Sequence, residues 1–359
     1  MQPIKIAASA FALTLTAALG AAPVQDARAQ DRESFQVCWS IYAGWMPWGW
    51  IESSGLMDKW ADKYDISVDV VQINDYIESI NQYTAGRFDG CTMTNMDALS
   101  IPAGGGVDTT ALIVGDFSNG NDGIVLKNKD ELSAIEGMDV HLVELSVSHY
   151  LLARALDQIG LSERDVNVVN VSDADLVAAF DTEDVQATVT WNPLLSTILK
   201  KPEANEVFDS SQIPGEIIDL MVVNTETLRA NPELGKALVG AWYEAMSIMS
   251  SDTQAGRDAR TWMAEAAGTD LRGYESQLET TQMFYDPAEA VEFTRDDKLI
   301  QTMDFVRQFL FKHGILGQGA PSPDYVGMQF PGGETLGNTN NIQLRFDPSY
   351  MKMAAEGEL

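Results

Sequence analysis

Carboxylates and indoles without basic neighbours are the residues of this chain whose types and positions suggest chemistry. The windows 38–58, 91–124, 141–153, 186–198 and 213–224 contain no Lys or Arg, yet they hold Glu52, Asp58, Asp97, Asp108, Asp116, Asp122, Glu144, Glu216 and Asp219. Trp45, Trp48 and Trp50 crowd one stretch, and Trp191 stands just before Asn192 and Pro193. An indole face attracts a flat cation by roughly 0.5–2 kcal/mol, depending on desolvation. A carboxylate accepts the N–H groups of such a cation in the two-pronged geometry of Arg–carboxylate pairs. The combination selects planar cations or neutral amides. A nitrate or sulfonate site is expected to use Arg or Lys, although helix N-termini and backbone amides can also hold an anion.

Each candidate has a plainer reading beside the functional one. Asp97 lies in the first turn of a short helix, where an Asp is often only a cap. Asp116 ends a strand, and its carboxylate either meets a ligand or bonds Ser118 or Asn119. Glu144 ends a later strand and is either a ligand contact or a solvated end charge. Asp219 opens a strand and either meets a ligand or bonds backbone. Asn95 and Ser146 mark helix starts suited to holding a polar group, and His149 beside Ser146 and Ser148 reads as orienting or structural in preference to metal-binding. Trp45 and Trp191 fall on loops and suit contact, whereas Trp48 and Trp50 also suit packing of a first helix on a sheet. The two cysteines and three histidines (His141, His149, His313) have no zinc-type spacing, and no H-E-x-x-H, Walker A or G-x-S-x-G motif occurs. No metal, cofactor or catalytic nucleophile is expected.

The elements that must position these residues alternate between strand and helix. Strands are expected over 35–42, 66–73, 88–93 and 109–115, with a helix over 48–64 and another to Ala85 that starts at an Asp75 cap. Glu78 three residues after Asp75 completes a capping-box pattern, and Gly86 sits where a helix C-cap glycine belongs. This βαβαβαβ order is that of a doubly wound α/β sheet, whose ligands lie beyond the carboxyl ends of its strands. A polar break at 116–123 follows, and the pattern restarts with strands over 124–126, 139–144, 166–171 and 185–190 and helices over 148–159 and 173–180. A strand over 217–224 then returns to the first unit, and 225–313 reads as nearly all helical. Two crossings, near 116–123 and 212–219, make a hinge. The tail after Gly314, rich in Gly, Pro and Asn, is expected to lie over the first lobe.

Composition bounds the rest. The 359 residues include 23 Lys and Arg against 53 Asp and Glu, a formal charge of −30. That balance argues against nucleic acid or an anionic membrane surface as partner. Residues 1–29, with Lys5, an apolar run over 6–22 and Ala27-Arg28-Ala29, read as a cleavable export signal, leaving a periplasmic product. In that oxidising compartment Cys38 and Cys91 can pair, or each can serve as a small buried hydrophobe.

The order of elements, with a set of short phrases, resembles the substrate-binding proteins of ABC importers in the nitrate/sulfonate/taurine class. The phrases are Tyr42-Ala43-Gly44-Trp45-Met46-Pro47-Trp48, Gly55-Leu56, Ala85-Gly86-Arg87-Phe88-Asp89-Gly90, Thr94-Asn95-Met96-Asp97-Ala98, Gly137-Met138-Asp139-Val140, Ser146-Val147-Ser148-His149-Tyr150 and Asn231-Pro232-Glu233. Within the class the chain resembles the urea-type branch encoded beside urea carboxylase-like enzymes, many of which act on guanidine. The resemblance implies a two-lobe type II binding-protein fold: signal 1–29, first lobe 30–117, second lobe 118–215, and first lobe again over 216–359. It also implies a monomer that closes on guanidinium or urea and delivers it to an inner-membrane permease, with no enzymatic step. Trp45, Asp97 and Asp116 would then serve from the first lobe, and Glu144, Ser146, His149 and Trp191 from the second. The alternatives are a sulfonate, nitrate or pyrimidine-type solute, or delivery to a membrane sensor. A more distant one is an enzyme that makes a thiamin pyrimidine precursor, whose Cys-rich iron motif is absent here.

Overall fold

The computed structural model describes residues 32–316 and 319–359, so the export signal expected over 1–29 lies outside the described residues. Strands β1 (Ser34–Trp39), β2 (Ser67–Gln72), β3 (Gly90–Thr94) and β4 (Thr109–Ser118) begin the first sheet. Strands β5 (Asp122–Lys127), β6 (Asp139–Leu142), β7 (Asn167–Asn170), β8 (Ala187–Trp191) and β9 (Ala204–Asp209) make the second. The chain returns to the first sheet through β10 (Ile218–Asn224) and β11 (Thr281–Met283). It finishes there with β12 (Gly327–Gln329), β13 (Thr335–Leu336) and β14 (Ile342–Phe346). The first sheet runs β13-β12-β14-β4-β10-β3-β1-β2, with β11 beside β4, and the second runs β7-β6-β8-β5-β9. This is an α/β chain with two mixed sheets, each flanked by helices.

Sequence explains most of the elements. β3, β4, β5 and β8 are almost wholly buried, as strands covered on both faces are. β1 and β2 are parallel neighbours, and their outer positions alternate between exposed and buried. Asp75 caps the helix Tyr76–Thr84 by accepting the Glu78 N–H at 2.9 Å. The box is only half formed, because the Glu78 carboxylate instead accepts from Gln82 Nε2 at 2.8 Å.

The single helix expected over 48–64 is two, Met46–Ser53 and Leu56–Asp62, broken where Gly55 takes φ +73°. Both pack on the long helix Pro232–Met249, and Trp48 stacks on Trp242 with ring centroids 5.0 Å apart. The stretch 225–313 is helical except for β11, and β9 together with the helix Leu194–Leu199 are further elements that the sequence pattern did not reveal. The tail extends the first sheet: β14 pairs in parallel with β4, and Met351 of the helix Ser349–Glu356 is buried. Cys38 and Cys91 face each other on adjacent parallel strands, Cα atoms 4.4 Å apart, and form a disulfide.

The two crossings between sheets are stitched together. Ser118 Oγ donates to Asp122 Oδ2 at 2.6 Å and shares a hydrogen bond with Ser210 Oγ at 2.7 Å. Gly120, at φ +108°, donates its N–H to the same Ser210 oxygen at 2.7 Å. The stretch expected as a polar break is therefore the ends of two long strands joined by only Asn119, Gly120 and Asn121. Asn119 N–H donates to Thr280 O at 3.0 Å, so the segment leading into β11 braces the first crossing.

Candidate functional site

At the carboxyl ends of β1, β3 and β8 the two sheets meet around a small cavity of about 10 Å³. That is the room of about one water molecule, far below the roughly 300–1,000 Å³ of sites for drug-sized molecules. Its walls are Tyr42, Trp45, Tyr76, Thr94, Asp122, Val147, Trp191 and Asp219, with no Lys or Arg among them.

The aromatic walls form a chain. The loop after β1 turns through Ala43–Trp45 into a helix started by Pro47, which buries Tyr42 and Trp45 side by side at 5.0 Å between centroids. Trp45 lies 5.6 Å from Tyr76, the first residue of its helix, and Tyr76 meets Trp191 edge-on at 5.5 Å. Trp191 comes from the other sheet. The Trp45 Nε1–H is buried without a protein acceptor.

Four buried aspartates lie in or behind the walls. Asp116 and Asp219 are register partners on β4 and β10. The register slips by one residue beside them, so Gly115 is the extra residue of a bulge, a device that re-aims neighbouring side chains. Tyr42 Oη donates to Asp116 Oδ1 at 2.9 Å. Asp97 Oδ2 accepts from Tyr76 Oη at 2.6 Å, from Thr94 Oγ1 at 2.9 Å and from the Val147 N–H at 3.3 Å. Burial raises the Asp97 carboxyl to about 6, against the pull of those hydrogen bonds. Burial also raises Asp122 to about 7, held back by Ser118 and pushed further by Asp116 and Asp97. Asp219 stands well above the usual carboxylate range because it is buried and faces Asp116 and Asp122. No basic residue stands among the cavity walls, so a cation seated there would favour the ionised form of these groups.

The described form is closed. Trp191 Nε1 donates to Ile41 O at 3.1 Å, and Ala43 N–H donates to Asn192 O at 3.1 Å. Tyr76 N–H donates to Asp173 Oδ1 at 3.3 Å, and Ser172 Oγ donates to Asp75 Oδ2 at 2.8 Å. At the far rim His313 Nδ1 pairs with Glu163 at 2.6 Å.

Residues 55–264 match the family model described as NMT1-like. The chain belongs to the NMT1-like family. This NMT1-like chain is 23% identical over 137 residues to the taurine-binding periplasmic protein of Escherichia coli (strain K12), an alignment covering 37% of the chain and 42% of that protein. It therefore spans under half the length of that relative. It is also 22% identical over 237 residues, 64% of the chain and 70% of the relative, to a protein of Brucella abortus (strain 2308) named as a binding protein. Among solved structures it is similar to the alkanesulfonate-binding protein of Xanthomonas axonopodis pv. citri, with TM-score 0.65 and 15% identity over 80% of this chain and 95% of that one. It is likewise similar to the periplasmic nitrate-binding protein of Synechocystis PCC 6803, with TM-score 0.55 and 12% identity over 92% and 99%. At these identities the likeness is one of fold. The fold is the two-lobe one of periplasmic binding proteins.

Of the site residues expected from sequence, Trp45, Trp191 and Asp219 line the NMT1-like cavity, while Asp116 and Asp97 stand directly behind it through Tyr42, Tyr76 and Thr94. The others lie elsewhere. Trp48 is core, stacked on Trp242. Asn95 pins the second crossing, donating from Nδ2 to Glu216 O at 3.0 Å and accepting the Ile218 N–H at 3.0 Å. Ser146 caps the helix Val147–Gln158, its oxygen accepting from Ser148 N–H and donating to Val143 O. His149 accepts the Leu145 N–H at 3.2 Å and faces a groove shared with Glu163 and His313. Glu144 is exposed at the lobe surface, where solvent screens its charge.

The residues that sequence reasoning missed are Tyr42, Tyr76, Thr94 and Val147, with Asp122 noted only as one acid among several. Tyr42, Thr94 and Val147 stood in the family-like phrases. Tyr76 had no such signal beyond following the Asp75 cap, because it reaches the cavity through Trp45, Thr94 and Asp97, which are distant in sequence.

Proposed function

We propose that this chain is the solute-binding component of an ABC importer, exported by residues 1–29 and working as a monomer in the periplasm beside an inner-membrane permease. The lobes divide at 30–117, 118–215 and 216–359. Its solute is a small planar cation, guanidinium. The observation that carries this reading is a cavity walled by Tyr42, Trp45, Tyr76 and Trp191 with Asp122 and Asp219 and without Lys or Arg. A flat cation would lie against the rings while the carboxylates accept its N–H groups. Urea has the same outline but brings no positive charge to two buried acids. A solute touching both lobes binds the closed form in preference and shifts the population toward it.

No bond-making step is part of this reading. The cysteines are joined to each other, and no histidine lines the cavity, so the iron motif and sacrificial histidine of a pyrimidine synthase have no counterpart among its walls. A sulfonate or nitrate solute is a second reading, favoured by what the similar proteins are named for binding and by the Trp45 N–H, which has no protein acceptor.

Calorimetric titration of the mature chain with guanidinium, urea, taurine and nitrate at equal ionic strength separates the two. Guanidinium saturating in the micromolar range, about −8 kcal/mol, with taurine and nitrate silent is the expected result. Taurine or nitrate binding without guanidinium binding would replace the cation reading by the anion one.

A further inference from the structure

Asp116 and Asp219 meet in a way that two carboxylates cannot sustain. They are 0% and 2% exposed, opposite each other on β4 and β10, with their carboxyls within hydrogen-bonding reach. Asp116 Oδ1 takes the Tyr42 hydroxyl, and the Oδ2 atom of each aspartate has no other donor. Two like charges at that separation in a water-poor interior repel strongly, whereas one proton between them makes a hydrogen bond.

Nothing around the pair supplies a positive charge. Tyr42 faces it from the loop after β1, Asp122 from β5, and Thr94, uncharged, from β3. Tyr274 and Tyr285 approach from the helical part, and Asp97 stands behind through Asp122. Arg260, the one guanidinium that reaches those tyrosines electrostatically, is engaged by Glu275 and by the Ser251 carbonyl.

We infer that Asp116 and Asp219 share one proton in the empty closed site and release it when a cation seats against Asp219, which makes the pair the filter between cations and neutral solutes of the same shape. This rests on the cation reading above. The O–H bond of the shared carboxyl breaks, its proton passes to solvent, and the charge of the ligand takes its place. A neutral amide has no charge to exchange, so the proton stays and the acid remains a donor toward it. Affinity for a cation then rises with pH, by up to about tenfold per unit while the pair still holds its proton. Affinity for urea does not follow that slope.

The test is calorimetry of the full mature chain with guanidinium chloride, at each pH in two buffers that titrate near that pH and differ widely in ionisation heat, such as phosphate and Bis-Tris near the acid end. The expected result at about pH 6 is a heat difference equal to nearly one proton released per guanidinium, shrinking as the pH is raised and affinity climbs. Asp219→Asn loses the buffer dependence and binds guanidinium at least about tenfold more weakly. Guanidinium binding with equal heats in both buffers at every pH overturns the shared proton and leaves the cation reading standing. Buffer dependence that survives in Asp219→Asn overturns the assignment to this pair. No guanidinium binding at any pH overturns the cation reading, and the filter with it. The wild-type comparison decides the matter even where a variant does not fold.

Discussion

The indole N–H of Trp191 donates to the main-chain carbonyl of Ile41 across 3.1 Å, and this bond runs from one lobe to the other. The same ring forms a cavity wall against Tyr76. The cross-lobe bond and the cavity wall therefore share one side chain. Trp191→Phe keeps an aromatic face but removes the cross-lobe donor and weakens the π surface. Guanidinium affinity is expected to fall roughly three- to thirtyfold, the range of a 0.5–2 kcal/mol ring contribution. Small-angle scattering of the ligand-free variant should show a larger share of open molecules. An unchanged affinity and an unchanged scattering profile would remove Trp191 from both roles.

Tyr76 supports Asp97 as well as the cavity. Its hydroxyl donates to the carboxylate at 2.6 Å and accepts the Thr94 N–H at 3.0 Å. Tyr76→Phe leaves a buried carboxyl and a buried N–H each short of a partner, a loss of about 1–3 kcal/mol. Urea denaturation of the ligand-free variant is the measurement, with a lowered midpoint and an unchanged slope expected.

Much of this site was legible in the sequence only as a list of types. Absence of Lys and Arg in the strand-end windows carries over directly to the cavity walls, because strand ends in a doubly wound sheet converge there whatever the details. The choice among tryptophans was harder. Trp45 and Trp48 differ by one helical turn, and the helix starting at Met46 sends one ring to the cavity and the other onto Trp242. Tyr76 reaches Asp97 from another helix of the same lobe and Val147 reaches it from the other lobe, relations with no sequence period. The strands of the tail were unread for another reason. β12 to β14 are two to five residues long amid Gly and Asn, and their strand character comes from pairing with one another and with β4.

The disulfide ties β1 to β3 across a sequence separation of 53 residues. Closing a loop of that length in the unfolded chain corresponds to about 4 kcal/mol in the chain-entropy account. Cys38→Ala with Cys91→Ala is expected to lower the denaturation midpoint by an amount of that order and to leave guanidinium binding in place, since neither sulfur reaches the cavity. Reductant should shift the melting temperature of the wild type downward and leave that of the double variant unmoved.

The pH dependence of stability has an inverted sign. Burial raises Asp97 to about 6, Asp122 to about 7 and Asp173 to about 6, all above the usual aspartate value. A carboxyl raised on folding favours the folded state in its protonated form. That contribution is fully present below about pH 4, where the unfolded groups titrate, and is lost as pH climbs through 6–7. The ligand-free chain is expected to melt several degrees lower at about pH 8 than at about pH 5. Asp122→Asn should flatten that slope. A melting temperature that rises over the same interval would show that these groups are ionised in the closed form.

Gly44 is where the cavity has least tolerance. A Cβ there would lie 2.5 Å from Asp116 Oδ2 and 2.6 Å from Tyr42 Cε1. Both neighbours are buried, and Tyr42 is fixed by its bond to Asp116, so neither can swing away as an exposed chain would. Gly44→Ala must push Tyr42 into the cavity or part the Tyr42–Asp116 bond, an overpacking strain of about 1–3 kcal/mol. The sheets and the disulfide lie outside that strain, so the variant is expected to fold with a near-native circular dichroism spectrum. Guanidinium binding should weaken by at least about tenfold, because the displaced ring takes the space the solute needs. Native affinity in a folded Gly44→Ala chain would mean that the solute sits elsewhere than between Tyr42, Trp45 and Asp219.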